Sequence, residues 1–236
     1  MIINNPFEKN LKKIVLDHLY KKGKINRNTT VINELTIDSF SRRVDLAIVD
    51  KDKLIAYEIK SEADSLYRLA GQLDKYLEYF DKIIVVTTPK HLENVLKISN
   101  KNIEVWEVDN DKIIIKKKSK ANKNITSEKY LDLLKVDEMK KLSRNFNLSI
   151  GSKVKSEIKI EIALKLKKIS LKEMKIFVAD SISRRYYFSS KLFLENVMSK
   201  NKVGLSDIDF LSPYFLERKA NTVNCKKNIL EQLAEL

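Results

Sequence analysis

The chain has 236 residues, enough for one or two domains with a real core, and 43% of them are hydrophobic, as in ordinary globular proteins. Lys and Arg number 46 against 32 Asp and Glu, a net charge of +14 that asks for an anionic partner, nucleic acid first. Two histidines, one cysteine and four glycines exclude a zinc-ligand set, a Ser-His-Asp hydrolase and a Gly-rich phosphate loop, while the lone Cys225 and the absence of a signal-peptide pattern or a membrane-length apolar run point to a cytoplasmic protein with no membrane partner.

In chain order, the spacing of Leu11, Ile14, Val15, His18 and Leu19 predicts a first helix over Phe7–Lys22. A β-meander follows: Val31–Ile37, Arg43–Val49 and Leu54–Lys60, with the polar run Asp50–Lys53 as a turn. A connection centred on Lys51 and Asp52 pairs Val49 with Leu54 and carries Asp45 opposite Glu58. A first connection centred between Ser39 and Phe40 sets Glu34 opposite Asp45. Side chains alternate faces, so Glu58 and Lys60 share one and Ile59 takes the other. Directly opposed residues lie about 5 Å apart at Cβ, and like charges so placed repel unless a cation sits between them. Mg²⁺ prefers oxygen ligands of this kind. Each carboxylate taken singly also fits an ordinary solvated sheet face.

The next segment, Leu66, Leu69, Ala70, Leu73, Tyr76, Leu77 and Phe80, recurs at helical spacing and forms a core-packing stripe. Along its border run Ser65, Arg68, Gln72 and Tyr76, a polar line able to face the carboxylates. Arg68 could equally pair with Asp64 or Asp74.

Asp45 followed by Glu58-Ile59-Lys60 resembles the PD-(D/E)XK nuclease signature, and the run YEIKSEADSLYRLAGQLDKY resembles a small, poorly characterised bacterial and phage branch of that superfamily. The resemblance covers about the first half of the chain, and Val44 stands where the name of the motif has proline. It implies a restriction-endonuclease-like αβββαβ core with a mixed sheet. It also implies metal binding by Asp45 and Glu58 with Glu34 or the Ile59 carbonyl, a water-positioning or activating role for Lys60, and a place in the cleft for Gln72. Arg68 becomes a phosphate contact. The implied cofactor is Mg²⁺, replaceable by Mn²⁺. The implied reaction is hydrolysis of phosphodiester bonds to 5′-phosphate and 3′-hydroxyl ends, on DNA before RNA. A double-strand cutter of this kind would need a homodimer.

Beyond the meander, Lys82–Thr88 is a β-branched apolar run ended by Pro89 and reads as a buried strand, joined to the preceding one by a right-handed crossover. His91–Ile98 reads as a helix, and Ile103–Val108 and Lys112–Lys117 as a hairpin around Asp109-Asn110-Asp111. Residues 1–118 thus form the nuclease-like domain, and 119–125 a basic linker.

Residues 126–236 read as an α-helical C-terminal domain. Residues 119–236 hold 24 Lys/Arg and 14 Asp/Glu, against 22 and 18 in residues 1–118, so the basic excess lies away from the carboxylates. A helix from Val136 with Asp137 as its cap, the run NLSIGSKVKSEI, and a helix carrying Ile158 and Ile162 together resemble a SAP-type DNA-binding module; a generic helical hairpin shows most of the same pattern. Lys140, Lys141, Arg144, Lys153 and Lys155 cluster there as nucleic-acid contacts. Arg184–Phe188 mixes basic and aromatic residues that can clamp phosphates and stack bases, although Tyr187, Phe188, Leu192, Phe193 and Val197 also suit a buried helix face. Gly204–Leu216 reads as a loop with helical turns and Lys226–Leu236 as an amphipathic helix. The reading is a Mg²⁺-dependent deoxyribonuclease. Two other readings stay open: an idle DNA-binding protein that kept the fold, and a protein-binding regulator in host–phage conflict.

Overall fold

A computed structural model describes residues 6–37 and 41–212. Its centre is a six-stranded mixed sheet in sequence order: β1 (Thr29–Ile37), β2 (Arg42–Asp50), β3 (Lys53–Lys60), β4 (Lys82–Thr87), β5 (Ile103–Asp109) and β6 (Lys112–Lys117). The meander and the final hairpin are antiparallel, and β3, β4 and β5 run parallel. Parallel neighbours need a crossover. The first is made by α2 (Leu69–Tyr76), and the second by α3 (Leu92–Ile98), entered through a 3-10 turn at Pro89–His91. The β5–β6 turn places Asn110 and Asp111 at φ 48 and 61, the left-handed geometry of a tight hairpin.

Helices cover both faces. On one, α2, α3, α4 (Ser127–Asp132), α5 (Val136–Asn145), α6 (Lys155–Ala163) and α7 (Leu171–Arg185) share a continuous core with sheet residues such as Ala56, Ile83 and Val85. On the other lie α1 (Pro6–Lys21), α8 (Tyr187–Lys200) and a 3-10 helix over Leu205–Leu211, packed on Val31, Ile48, Tyr57 and Ile84. The helices after residue 126 therefore complete both sheet layers. Among the described residues no helix is long and apolar enough to cross a membrane.

The meander bends at one point. The β1–β2 ladder pairs Asn33 with Leu46 and Leu35 with Val44, stepping over Glu34 and Asp45, and Glu34 adopts φ 62. Strict alternation would send Leu35 and Ile37 to the face opposite Ile32. The irregularity instead turns all three into the same core, as it does Val44 with Ala47 and Val49. The register is not shifted, so Glu34 lies opposite Asp45 as expected, and a kink without an inserted residue sits where the carboxylates are.

Several expectations need revision. The helix after β3 starts at Leu69, not Leu66, because Ser65 Oγ accepts the Tyr67 N–H at 3.3 Å and holds a turn there. The expected linker is anchored: Asn122 is buried, and its amide donates to the Leu77 and Phe80 carbonyls at 2.6 and 3.0 Å. Tyr187 and Phe188 do not lie on a buried face. They are exposed and stacked edge-on at 5.5 Å, while Phe193, Leu194 and Val197 supply the buried side of α8. Cys225, the helix expected over Lys226–Leu236 and the connection at Ser39–Phe40 lie outside the described residues.

Candidate active site

The β2–β3 ladder runs from Asp50–Lys53 to Leu46–Tyr57 and stops. Beyond that pair the Asp45 side chain replaces the strand: its Oδ2 accepts the Ile59 backbone N–H at 2.7 Å. The two strands part at this point, and Asp45 and Glu58 face each other across the gap. Glu58 is 1% exposed and fully bonded. Its Oε1 accepts from Lys60 Nζ at 2.6 Å and its Oε2 from the Tyr76 hydroxyl at 2.8 Å. Lys60 Nζ also donates to Gln72 Oε1 at 3.3 Å. Tyr76 and Gln72 are one helical turn apart on α2, so one face of that helix delivers both to the ends of β2 and β3.

The electrostatics follow from burial. The Asp45 carboxyl is held well above the usual carboxylate range, first by loss of solvent and then by the neighbouring Glu58; Lys12 pulls it down and Glu8 pushes it up. Burial alone would lower the Lys60 pKa, but Glu58 and then Asp45 outweigh it, so the net shift is upward. Lys60 therefore stays a cation near neutrality, suited to positioning and charge neutralisation and unsuited to taking a proton. Burial and Glu58 also push the Tyr76 hydroxyl far up, which keeps it a donor.

The structure thus brings together Asp45, Glu58, Lys60 and Gln72. It does not bring Glu34 into a three-carboxylate group. Glu34 sits at the kink and pairs with Arg43 at 3.3 Å. Among the described residues no set of three His, Cys, Asp or Glu is arranged to hold a metal. Two carboxylates still fit a hard divalent cation that keeps most of its waters, which is how Mg²⁺ commonly binds. The donor set is the observation in its favour: the buried Glu58 carboxylate lies beside Asp45, whose Oδ2 is anchored on the Ile59 N–H at the end of the same strand. Asp45, Glu58 and the Ile59 carbonyl are the groups that would hold it.

Arg68 stands exposed at the start of α2, where its side chain makes no capping bond, and among the described residues it pairs with neither Asp64 nor Asp74. Asp64 instead binds the Ser61 N–H and hydroxyl at 2.7 and 2.5 Å, closing the loop that leaves β3. Lys140 and Lys141 are half-buried on α5, and Arg144, Lys153 and Lys155 are exposed around the α5–α6 turn.

One contributor escapes sequence reasoning. Lys12 on α1 is 4% exposed, donating to Asn33 Oδ1 at 2.9 Å and pairing with Glu8 at 2.7 Å, and both charges act on Asp45. The only local signal is their i,i+4 spacing, which is common on solvated helices. The Tyr76 hydroxyl, by contrast, belongs to the polar line read along the border of α2, and the structure turns it onto Glu58.

Two solved structures share limited similarity. A protein of unknown function from Silicibacter pomeroyi aligns at TM-score 0.43 and 15% identity over 64% of this chain and all of its own. SfsA from Pyrococcus furiosus, solved with Ca²⁺, aligns at TM-score 0.29 and 16% identity over 47% of this chain and 63% of its own. Likeness at this level leaves the reading of the site to its residues. Sequence similarity is more extensive. Protein cII of Enterobacteria phage P4 is 31% identical over 209 residues, 87% of this chain and 77% of that protein. The family of bacteriophage P4 protein cII matches residues 3–212, which span the sheet, both helical layers and every site residue described above; the chain belongs to that family.

Proposed function

We propose that this protein is a metal-dependent nuclease with a restriction-endonuclease-like core, acting on DNA, its helical C-terminal half serving as the grip. One observation carries the reading: Asp45 and Glu58 are juxtaposed where β2 and β3 part, with Lys60 2.6 Å from Glu58. Buried like charges are costly, and such clusters concentrate at functional sites.

In this proposal Asp45, Glu58 and the Ile59 carbonyl hold Mg²⁺ or Mn²⁺. When bound, the ion polarises a phosphate oxygen and lowers the pKa of a coordinated water. Tyr76 and Lys60 hold the Glu58 carboxylate in one rotamer. Lys60 orients the attacking water and offsets charge building on the phosphate. Gln72 fixes the Lys60 ammonium from the other side. Arg68 binds the phosphate backbone beside the cleft, and Lys140, Lys141, Arg144, Lys153 and Lys155 bind it farther along in a SAP-like manner. Cleavage of a DNA duplex in Mg²⁺ that is lost in Lys60→Met tests the reading.

A second reading, a DNA-binding protein without catalysis, draws on Glu58 having both oxygens satisfied internally. Under it, Lys60→Met would leave DNA binding intact and no metal would support cleavage.

A further inference from the structure

A cavity of about 810 Å³ opens at the opposite end of the parallel strands from the carboxylates, on the face covered by α1. It lies where β3, β4 and β5 begin, beside Lys53, Lys82 and Glu104. Its floor is apolar and aromatic: Ile48, Ile84, Ile115, Tyr57 and Trp106, the last two ring-to-ring at 5.7 Å. His18 meets the Trp106 ring edge-on at 5.6 Å, and burial, then Lys22, lowers its pKa, so it is a neutral ring.

The rim is cationic. Two of its lysines are already used, Lys82 by Glu104 at 2.8 Å and Lys175 by Asp81 at 2.7 Å. Lys22, Lys24, Lys53 and Lys123 line the same opening and form no ion pair among the described residues. Against those four unpaired cations stands one further acid, Asp50.

The volume falls within the roughly 300–1,000 Å³ of small-molecule sites. A flat ring suits an aromatic floor, and a cluster of free ammonium groups suits phosphate. We propose that this cavity binds a nucleoside phosphate, its base on the Tyr57–Trp106 floor and its phosphates at Lys22, Lys24, Lys53 and Lys123. The site is separate from the carboxylates and does not depend on their catalysing anything.

Titration calorimetry of the full chain with the four ribonucleoside triphosphates tests this, with tripolyphosphate and free nucleoside as controls. The expected result is saturable binding of at least one nucleotide, at least about ten-fold tighter than either control, a difference of about 1.4 kcal/mol. Lys22→Glu/Lys53→Glu, two exposed changes that leave the core intact, should weaken it by at least about ten-fold, while Asp45→Asn should leave it unchanged. Quenching of Trp106, the chain's single tryptophan, should follow the same isotherm. Absence of saturable nucleotide binding, equal binding of tripolyphosphate, an unaffected double variant, or loss of binding in Asp45→Asn would each overturn the assignment.

Discussion

Replacing Asp45 by Asn should make the protein more stable in the absence of divalent cations, although it removes a residue assigned to the site. The amide keeps an oxygen to accept the Ile59 N–H, now satisfied at 2.7 Å, so the backbone hydrogen bond survives. What disappears is a charge facing Glu58. Over the roughly 4–6 Å at which a like charge shifts a carboxyl, and at an effective dielectric of about 20, two unit charges repel by about 3–4 kcal/mol. Lys12 and Lys60 attract Asp45 and return part of that, leaving about 1–2 kcal/mol, or about 3–6 °C in Tm for a chain of this size. The pH dependence gives a second handle. Asp45 is raised in the folded protein above its ordinary 3.8, so the folded state binds the proton more tightly. The wild type then loses stability as pH rises from about 4 toward the raised value, and the advantage of the variant grows over the same window and vanishes below it. Thermal unfolding in EDTA at pH 7.5 and pH 4, repeated with Mg²⁺ at pH 7.5, reads all of this. Mg²⁺ should stabilise the wild type and leave Asp45→Asn unmoved. A destabilised variant in EDTA, or an equal gain at both pH values, would refute the reasoning.

Three further outcomes are expected. Tyr76→Phe removes the single hydroxyl hydrogen, which Glu58 Oε2 and the Arg43 carbonyl both approach, at 2.8 and 3.0 Å, and should cost about 1.5–3 kcal/mol in denaturant melts together with a loss of cleavage. Arg185→Ala, at the α7–α8 junction, breaks a half-buried pair with Glu138 and a bond to the Leu133 carbonyl. It should lower stability by about 2 kcal/mol in the same melts and leave the cleavage rate of the folded protein unchanged. Lys140→Glu/Lys141→Glu/Arg144→Glu should weaken DNA binding at every sequence and flatten the salt dependence by about 0.9 for each phosphate no longer neutralised, read by anisotropy across a salt series.

What the sequence makes legible is governed by range. The Lys51–Asp52 turn, with Lys51 at φ 56, sets a register that any two-residue connection there would set, and Ala47–Ala56 and Ile48–Ile55 pair as expected. Helical spacing likewise points Gln72 toward Lys60. The position of Glu34 opposite Asp45 is legible from register alone, but its side chain is not, because nothing in its neighbours announces a glutamate at φ 62 that pairs with Arg43. Lys12 is hidden for a different reason. Its burial depends on α1 lying over Asn33, a partner 21 residues away that periodicity does not encode. Tyr187 and Phe188 mislead in the opposite direction: aromatic residues at the start of an amphipathic helix suggest core, but α8 begins before it reaches the sheet.

The central claim is tested most directly by incubating supercoiled, linear and single-stranded DNA with the protein in Mg²⁺, Mn²⁺ and EDTA, beside Asp45→Ala and Lys60→Ala. Cleavage is expected in either metal, none in EDTA, and none in either variant while both still bind DNA. Tight DNA binding by all three proteins with no cleavage in any metal would contradict it.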